Sequence, residues 1–209
     1  TRLLTGELAS LCMPETELET LSRFVEKQTM CRDYRATESL GRGPIMVMVD
    51  ESSSMNGDRI AKAKGLALSL VWLAEHQKRW VSLVGWSSED QIRTVTFQPG
   101  QVDHAELMEW CATQWGGGTH PPLYEADKLF KEAGAPEGKT DVIWITDGEC
   151  CLAEYDVQRY LAFKQRSQAK VWTIGIGTTG ESFKPICDVV ASIDTLGCDT
   201  QIVRDVLSI

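Results

Sequence analysis

The sequence predicts an α/β domain built on a doubly wound, mostly parallel six-stranded sheet with one antiparallel edge strand. The run at 45–49 is continuously apolar, which is typical of a strand buried on both faces of a parallel sheet. Segments with helical periodicity alternate with the predicted strands, so helices are expected on both faces of the sheet. The segment at 92–97 alternates apolar and polar residues instead, and it therefore indicates an edge strand that runs antiparallel.

The predicted elements follow one another in a regular order after Pro44. The helix over 58–77 has the clearest pattern, because apolar residues return at helical spacing from Ile60 to Leu73. The strands are predicted at 45–49, 80–86, 92–97, 141–146, 170–176 and 191–194. The helices are predicted at 58–77, 105–111, 122–133, 155–168, 182–190 and 200–207.

The first part of the chain has a different character. A helix is predicted from Pro14 to about Lys27, with apolar residues at helical spacing, and Arg42-Gly43-Pro44 then breaks the chain. We therefore divide the chain into a helical N-terminal extension at 1–43 and a main domain at 44–209.

Composition narrows the classes of function. The formal net charge of −9 argues against a protein that binds nucleic acid, and no apolar run is long enough to span a bilayer. The seven cysteines are scattered without C-x-x-C pairs, which indicates reduced thiols in a cytoplasmic protein and no zinc site. Because the chain starts at Thr1 without a signal peptide, we expect a fragment of a longer protein.

Polar side chains follow two of the predicted buried strands. Asp50, Ser52 and Ser54 come directly after the first strand at alternate positions, and Asp147 comes directly after the strand at 141–146. Thr119 ends the run Gly116-Gly117-Gly118-Thr119, which we call the glycine run; it precedes a helix that lies between these two strands in the sequence. Because ligands of open α/β sheets bind beyond the carboxyl ends of the strands, we expect these five side chains to converge.

Two carboxylates and three hydroxyls form a donor set that contains only oxygen. Hard oxygen ligands suit Mg²⁺ or Mn²⁺ better than zinc, and Ca²⁺ also takes oxygen ligands. The hydroxyls are neutral, so an ion held by this set would stay electrophilic and keep a position for an outside carboxylate. The sequence therefore predicts a Mg²⁺ site, with Mn²⁺ or Ca²⁺ as alternatives.

The same motifs resemble the metal-ion-dependent adhesion site of von Willebrand factor A (VWA) domains. The resemblance covers about 44–194 and includes Asp50-x-Ser52-x-Ser54, Thr119 and Asp147 in the order of that family. It implies a Rossmann-like fold and a binding domain rather than an enzyme. The resemblance further implies that an acidic residue of the protein partner reaches the metal. It also implies direct coordination by both serines and the threonine, with the two aspartates acting through water.

One position departs from the family pattern. Ser53 stands where VWA domains usually have glycine, and a serine there strains the turn unless its φ angle is negative. This departure bears on the affinity for the metal and leaves the predicted fold unchanged.

A second and narrower resemblance involves the N-terminal part of the chain. The segments Leu4–Ala9, Glu15–Glu19 and Gly41–Ile45 look like the carboxyl-terminal part of ViaA-type and CoxE-type proteins. Those are cytoplasmic partners of MoxR-class AAA+ ATPases. The resemblance implies an adaptor that works with such an ATPase to remodel or activate a client protein.

Other functions remain open at this stage. A metal-dependent hydrolase would use Ser52 or Ser54 as nucleophile, but no histidine is placed by the sequence to activate either one. A domain with a vestigial site would use the same serines and aspartates only as caps of helices and turns. Gly175-x-Gly177-x-x-Gly180 fits a dinucleotide-binding spacing, but the segment that follows lacks a clean helix, and we expect only a tight turn.

Two further features have ordinary interpretations. Cys150 and Cys151 follow Asp147 closely, and we expect two inert thiols there rather than a redox pair. The tryptophans fall mostly on predicted strands and helices and are expected in the core. Trp115 is the exception, because it precedes the glycine run and can line the metal face.

Overall fold

A six-stranded sheet forms the centre of the main domain. The computed structural model describes residues 2–3, 16, 31–32, 43–88, 90–118, 120–132 and 140–192. The strands are β1 (Ile45–Asp50), β2 (Val81–Trp86), β3 (Ile92–Phe97), β4 (Asp141–Thr146), β5 (Lys170–Gly175) and β6 (Val189–Ser192). The helices are α1 (Asp58–His76), α2 (His104–Ala112), α3 (Leu123–Glu132) and α4 (Glu154–Ser167).

The strand order is β3-β2-β1-β4-β5-β6. Every neighbouring pair is parallel except β2 with β3, which lies at the edge. The predicted doubly wound, mostly parallel sheet with one antiparallel edge strand is therefore confirmed. β1 lies at the centre and pairs with both β2 and β4, so the carboxyl ends of these three strands meet at the same edge.

The core occupies both faces of the sheet. Alternate side chains of β1 point to opposite faces, and all of them are buried. Ile45, Val47 and Val49 pack with buried residues of α1 and α2. Met46 and Met48 pack with buried residues of α3 and α4. Burial on both faces explains why the strand consists of one continuous apolar run.

The predicted helix at 182–190 is wrong. A short 3-10 turn at Glu181–Phe183 is all the helix that forms, and β6 already begins at Val189. Asp188 is the reason, because its backbone N–H donates to Val171 O (2.8 Å) and its side chain accepts from Val171 N (2.9 Å). These bonds to β5 draw the segment into the sheet, and Pro185 offers no backbone N–H that could favour a helix.

The chain divides into two compact units, Thr1–Leu40 and Gly41–Ile209. Within the first unit, Arg2–Leu3 pairs antiparallel with Cys31–Arg32, a short pairing that the sequence did not predict. Of the predicted helix at 14–27, the described residues include only Thr16, which lies in a turn, and the predicted helix at 200–207 lies outside them. In the described part of the chain, no helix has both the length and the apolar character needed to cross a membrane.

Candidate metal centre

Asp50 and Asp147 lie at the same edge of the sheet. Val49 and Ile145 are paired in the ladder between β1 and β4, and each aspartate follows shortly after this pair along its own chain segment. Both aspartates are buried, with 2% and 3% of their surface exposed. Both predicted carboxylates are therefore largely shielded from water, where a negative charge needs a partner.

Asp50 is held by hydrogen bonds at both carboxylate oxygens. Oδ1 accepts from the backbone N–H of Ser52 (3.0 Å), and Oδ2 accepts from the hydroxyl of Thr146 (2.6 Å). Burial raises the pKa of Asp50, and the nearby charge of Asp147 adds to the rise, while the bonds from Thr146 and Ser52 oppose it. The side chain is thus fixed in orientation, and a nearby cation would favour its charged form.

The two serines lie on one side of a single tight turn. Ser52 precedes the 3-10 turn Ser53–Met55, and its Oγ lies 3.0 Å from the Oγ of Ser54. Among the described residues other than glycine, positive φ angles occur only at Lys78 and Gln168. Ser53 therefore occupies the usual glycine position of the motif without backbone strain.

The glycine run contacts the turn at 52–55, which we call the serine turn, through its backbone. Gly117 O accepts from Ser53 N (3.4 Å). Gly118 has a φ angle of 21°, and a Cβ there would lie 2.4 Å from Ser87 O, so only glycine fits this approach. Thr119, the predicted third hydroxyl, follows immediately in the sequence but lies outside the described residues.

Asp147 is bound by an arginine that the sequence analysis missed. Arg59 Nη1 lies 3.3 Å from Asp147 Oδ2 and donates to Ser54 O (3.1 Å). Asp147 Oδ1 accepts from the backbone N–H of Glu149 (3.2 Å). A Cβ on Gly177 would lie 3.2 Å from Arg59 Nε, so glycine leaves room for the guanidinium. One signal was visible, since a cation in the first turn of a helix opposes the helix dipole and needs a separate reason.

Two other residues at this edge were also missed as site residues. Thr146 joins the two loops, because its hydroxyl donates to Asp50 and accepts from Gly148 N (3.0 Å). Glu51 is completely buried beside the serine turn, with Lys64 Nζ 3.3 Å from its Oε1. A glutamate directly after an apolar strand is the one sequence signal that indicated a buried charge there.

The donors at this edge fit a hard divalent cation. Asp50, Ser52, Ser54 and Asp147 supply only oxygen atoms, and both carboxylates are buried at this edge. Among the described residues, no group of three or more histidine, cysteine, aspartate or glutamate side chains could hold a metal ion. Metal binding at this edge would therefore depend on the serine hydroxyls.

Cys150 and the glycines at and after the end of β5 behave as structural residues, whereas Cys151 is exposed. Burial raises the pKa of the Cys150 thiol to about 12, so it stays protonated and unreactive at neutral pH. Gly175 ends β5, and the tight turn that follows folds back over it, so a Cβ there would lie 2.4 Å from Thr178 O. The three-residue 3-10 turn that follows is too short to resemble the phosphate-binding helix of a dinucleotide site.

The tryptophans differ in exposure. The predicted core position is confirmed for Trp80, Trp86, Trp110, Trp144 and Trp172. It is wrong for Trp72, which is 59% exposed on α1 and stacks on His76 with 3.9 Å between ring centroids. Trp72 is flanked by apolar residues in the sequence, but it is not among the residues of α1 that face the core. Trp115 is 37% exposed beside the glycine run.

Comparison with known proteins shows distant relatives. No family model matches the chain. The uncharacterized protein MJ0811 of Methanocaldococcus jannaschii is 28% identical over 195 residues, which is 91% of this chain and 44% of that protein. The chain spans about half the length of the curated relatives it matches, with 44% and 50% for two of them.

Solved structures establish the fold class. A von Willebrand factor type A protein from Catenulispora acidiphila superposes with a TM-score of 0.55 and 18% identity, over 80% of this chain and 42% of that one. The open conformation of the pilus adhesin SpaC from Lactobacillus rhamnosus GG gives a TM-score of 0.57 with 13% identity, over 81% and 30%. The chain therefore has a VWA-like fold with a Rossmann-like sheet.

Proposed function

We propose that this chain is a Mg²⁺-dependent protein-binding domain that holds an acidic residue of its partner at the carboxyl edge of the sheet. The observation that carries the proposal is the pair of hydroxyls of Ser52 and Ser54, which lie 3.0 Å apart in the turn after β1, at the edge of the sheet that also carries the buried Asp50 and Asp147. The VWA-like fold of the chain supports a role in protein interaction. The proposed role is non-catalytic.

Each residue has a separate task in this proposal. Ser52 and Ser54 hold the ion directly, and Thr119 joins them on the strength of the family resemblance. Asp50 and Asp147 hold water molecules around it, with Asp50 oriented by Thr146 and Ser52. A bound divalent ion would supply an electrophilic position for an outside carboxylate oxygen. Mg²⁺ fits best because it keeps several waters readily, with Mn²⁺ or Ca²⁺ as alternatives.

The narrower proposal concerns the partner. The N-terminal segments that resemble ViaA-type and CoxE-type proteins support a cytoplasmic adaptor for a MoxR-class AAA+ ATPase. In this role the domain would help the ATPase to remodel or activate a client protein. The negative formal charge of the chain supports a protein partner rather than a nucleic acid.

Calorimetric titration with Mg²⁺ tests the metal site. We expect wild-type protein to bind one ion, and Ser52→Ala or Asp147→Ala to weaken binding by about tenfold or more. Ser69→Ala is the matched control, because Ser69 is exposed on α1 and bonds only locally to Gly65 O (2.9 Å). Wild-type protein that does not bind millimolar Mg²⁺ would show that the site is vestigial.

Capture of the partner tests the mode of binding. The immobilised chain is loaded with Mg²⁺, incubated with cell lysate and washed. Bound proteins are then eluted with chelator and identified by mass spectrometry. We expect the partner to leave with the chelator, and a MoxR-class ATPase in the eluate would support the narrower proposal. Phosphoester turnover that depends on Asp50 would favour a hydrolase instead.

A further inference from the structure

Glu51 carries a buried charge for which the proposed metal site has no use. Its surface is 0% exposed, and its side chain lies against the carboxyl-terminal part of β2, where a Cβ on Gly85 would lie 2.6 Å from Oε1. Lys64 Nζ lies 3.3 Å and Arg93 Nη2 lies 3.8 Å from the same oxygen. A buried carboxylate is costly without such partners, so the three residues form one unit that we call the Glu51 cluster.

The two cations of the Glu51 cluster extend to the end of α2. Lys64 donates to Cys111 O (3.1 Å) and to Thr113 O. Arg93 donates to Trp110 O and, at 3.4 Å, to Thr113 O. Cations are favourable at a helix carboxyl terminus, where the last carbonyl groups have no partner within the helix. The cluster therefore fixes the point at which the chain leaves α2 towards the glycine run.

Glu51 also binds the next part of this segment directly. Its Oε2 accepts from the backbone N–H of Trp115 (3.3 Å). Two residues further along each segment, Ser53 N donates to Gly117 O (3.4 Å). A third bond runs from Gln114 Nε2 to Asn56 Oδ1 (2.6 Å). The loop after β1 and the segment that leads into the glycine run are thus joined at three points, and the Glu51 carboxylate forms the one at Trp115.

We infer that Glu51 is a positioning residue that holds Trp115 and the glycine run against the serine turn, next to Ser52 and Ser54. Its consequence for the metal rests on the proposed function, whereas its effect on Trp115 does not. Glu51 would then set metal affinity without contacting the metal.

Tryptophan fluorescence measures the position of Trp115 in metal-free protein. Trp72 and Trp115 are 59% and 37% exposed, and the other five tryptophans are at most 2% exposed. In a Trp72→Phe background, quenching by acrylamide therefore reports mainly on Trp115. We expect Glu51→Gln, which leaves Lys64 and Arg93 without their counter-charge, to increase this quenching. Arg93→Gln is a second variant on the edge strand, for use if Glu51→Gln does not fold, and we expect the same direction of change.

Mg²⁺ titration of the same proteins measures the consequence. We expect Glu51→Gln to weaken Mg²⁺ binding by about tenfold, as is usual when a residue that orients a metal ligand is removed. Asp141→Asn is the matched control, because it also breaks a buried ion pair, here with Arg79, whose side chain is 1% exposed. This pair lies at the amino-terminal ends of the strands, away from the proposed metal site. We expect this control to lower the melting temperature without changing Mg²⁺ affinity or quenching.

The possible results separate the two proposals. Unchanged quenching and Mg²⁺ affinity within about twofold of wild type would overturn the role of Glu51 and leave the metal site intact. Equal losses of affinity in Glu51→Gln and Asp141→Asn would also overturn it, because general destabilisation would then suffice. If wild-type protein binds no Mg²⁺, the proposed function fails, and the quenching alone decides whether Glu51 positions Trp115.

Discussion

Arg59 Nη1 lies 3.3 Å from Asp147 Oδ2, which joins the first turn of α1 to the loop after β4 across 88 positions of the chain. The side chain of Asp147 is 2% exposed, and that of Arg59 is 41% exposed. The contact places a permanent positive charge beside the proposed metal site. In metal-free protein this charge balances a buried carboxylate, and a divalent ion that binds nearby is repelled by it.

The Arg59 contact leads to a prediction for metal affinity. We expect Arg59→Gln to bind Mg²⁺ about threefold to tenfold more tightly, because a like charge is removed close to the ion. The gain should shrink as salt is added, since the arginine is partly exposed. Lys62→Gln, which removes the same charge from an exposed position of α1, should change the affinity less. Weaker binding by Arg59→Gln would mean that Arg59 orders Asp147 more than it competes with the metal.

Asp50 leads to a prediction for pH dependence. Burial raises its folded pKa above the ordinary value of 3.8, so the ionised form costs stability at neutral pH. Asp50→Asn removes this cost. We therefore compare the melting temperatures of the two proteins in chelator. The melting temperature of Asp50→Asn minus that of wild type should increase as the pH rises from 3.8 through the folded pKa of Asp50. A difference that stays constant or falls over this range, measured by calorimetry, would contradict the assigned cause.

Removal of metal should lower stability without unfolding the domain. The core on both faces of the sheet is apolar and independent of the site, so the circular dichroism spectrum should be unchanged by chelator. At a Mg²⁺ concentration of 100 times Kd, binding adds about 2.7 kcal/mol to the free energy of unfolding. Asp50→Ala should show no such shift. Loss of secondary structure in chelator would indicate a structural metal instead.

Two glycines should respond in opposite ways to substitution by alanine. Gly85→Ala places a Cβ 2.6 Å from Glu51 Oε1, so we expect a loss of about 1–3 kcal/mol in the free energy of unfolding. Gly65→Ala meets no atom within 4 Å and lies inside α1, so we expect a gain of about 0.5–1 kcal/mol. Urea denaturation measures both. A Gly85→Ala protein as stable as wild type would show that Glu51 is not confined as described.

The fold and the main site residues could be predicted from sequence for physical reasons. Strands buried on both faces give apolar runs that stand out from the helical periodicities, and the run at 45–49 became β1. Polar residues that directly follow such runs must lie at the carboxyl edge of the sheet. Asp50, Ser52, Ser54 and Asp147 were found in this way.

The rest depends on contacts between distant parts of the chain. Arg59 with Asp147 and Glu51 with Arg93 are pairs that no periodicity relates, and each forms only once the sheet has assembled. The helix predicted at 182–190 is wrong for the same reason. Asp188 pairs with Val171 of β5, and local helix propensity does not account for such a contact with a distant strand.

The central claim is that serine hydroxyls at the edge of the sheet hold a divalent ion. The most direct test is an anomalous difference map from crystals of the wild-type protein grown with Mn²⁺. We expect one peak bonded to Ser52 Oγ and Ser54 Oγ at about 2.0–2.2 Å, with Asp50 and Asp147 close by. A peak bonded only to histidine or cysteine elsewhere, or no peak at this edge at millimolar Mn²⁺, would contradict the account.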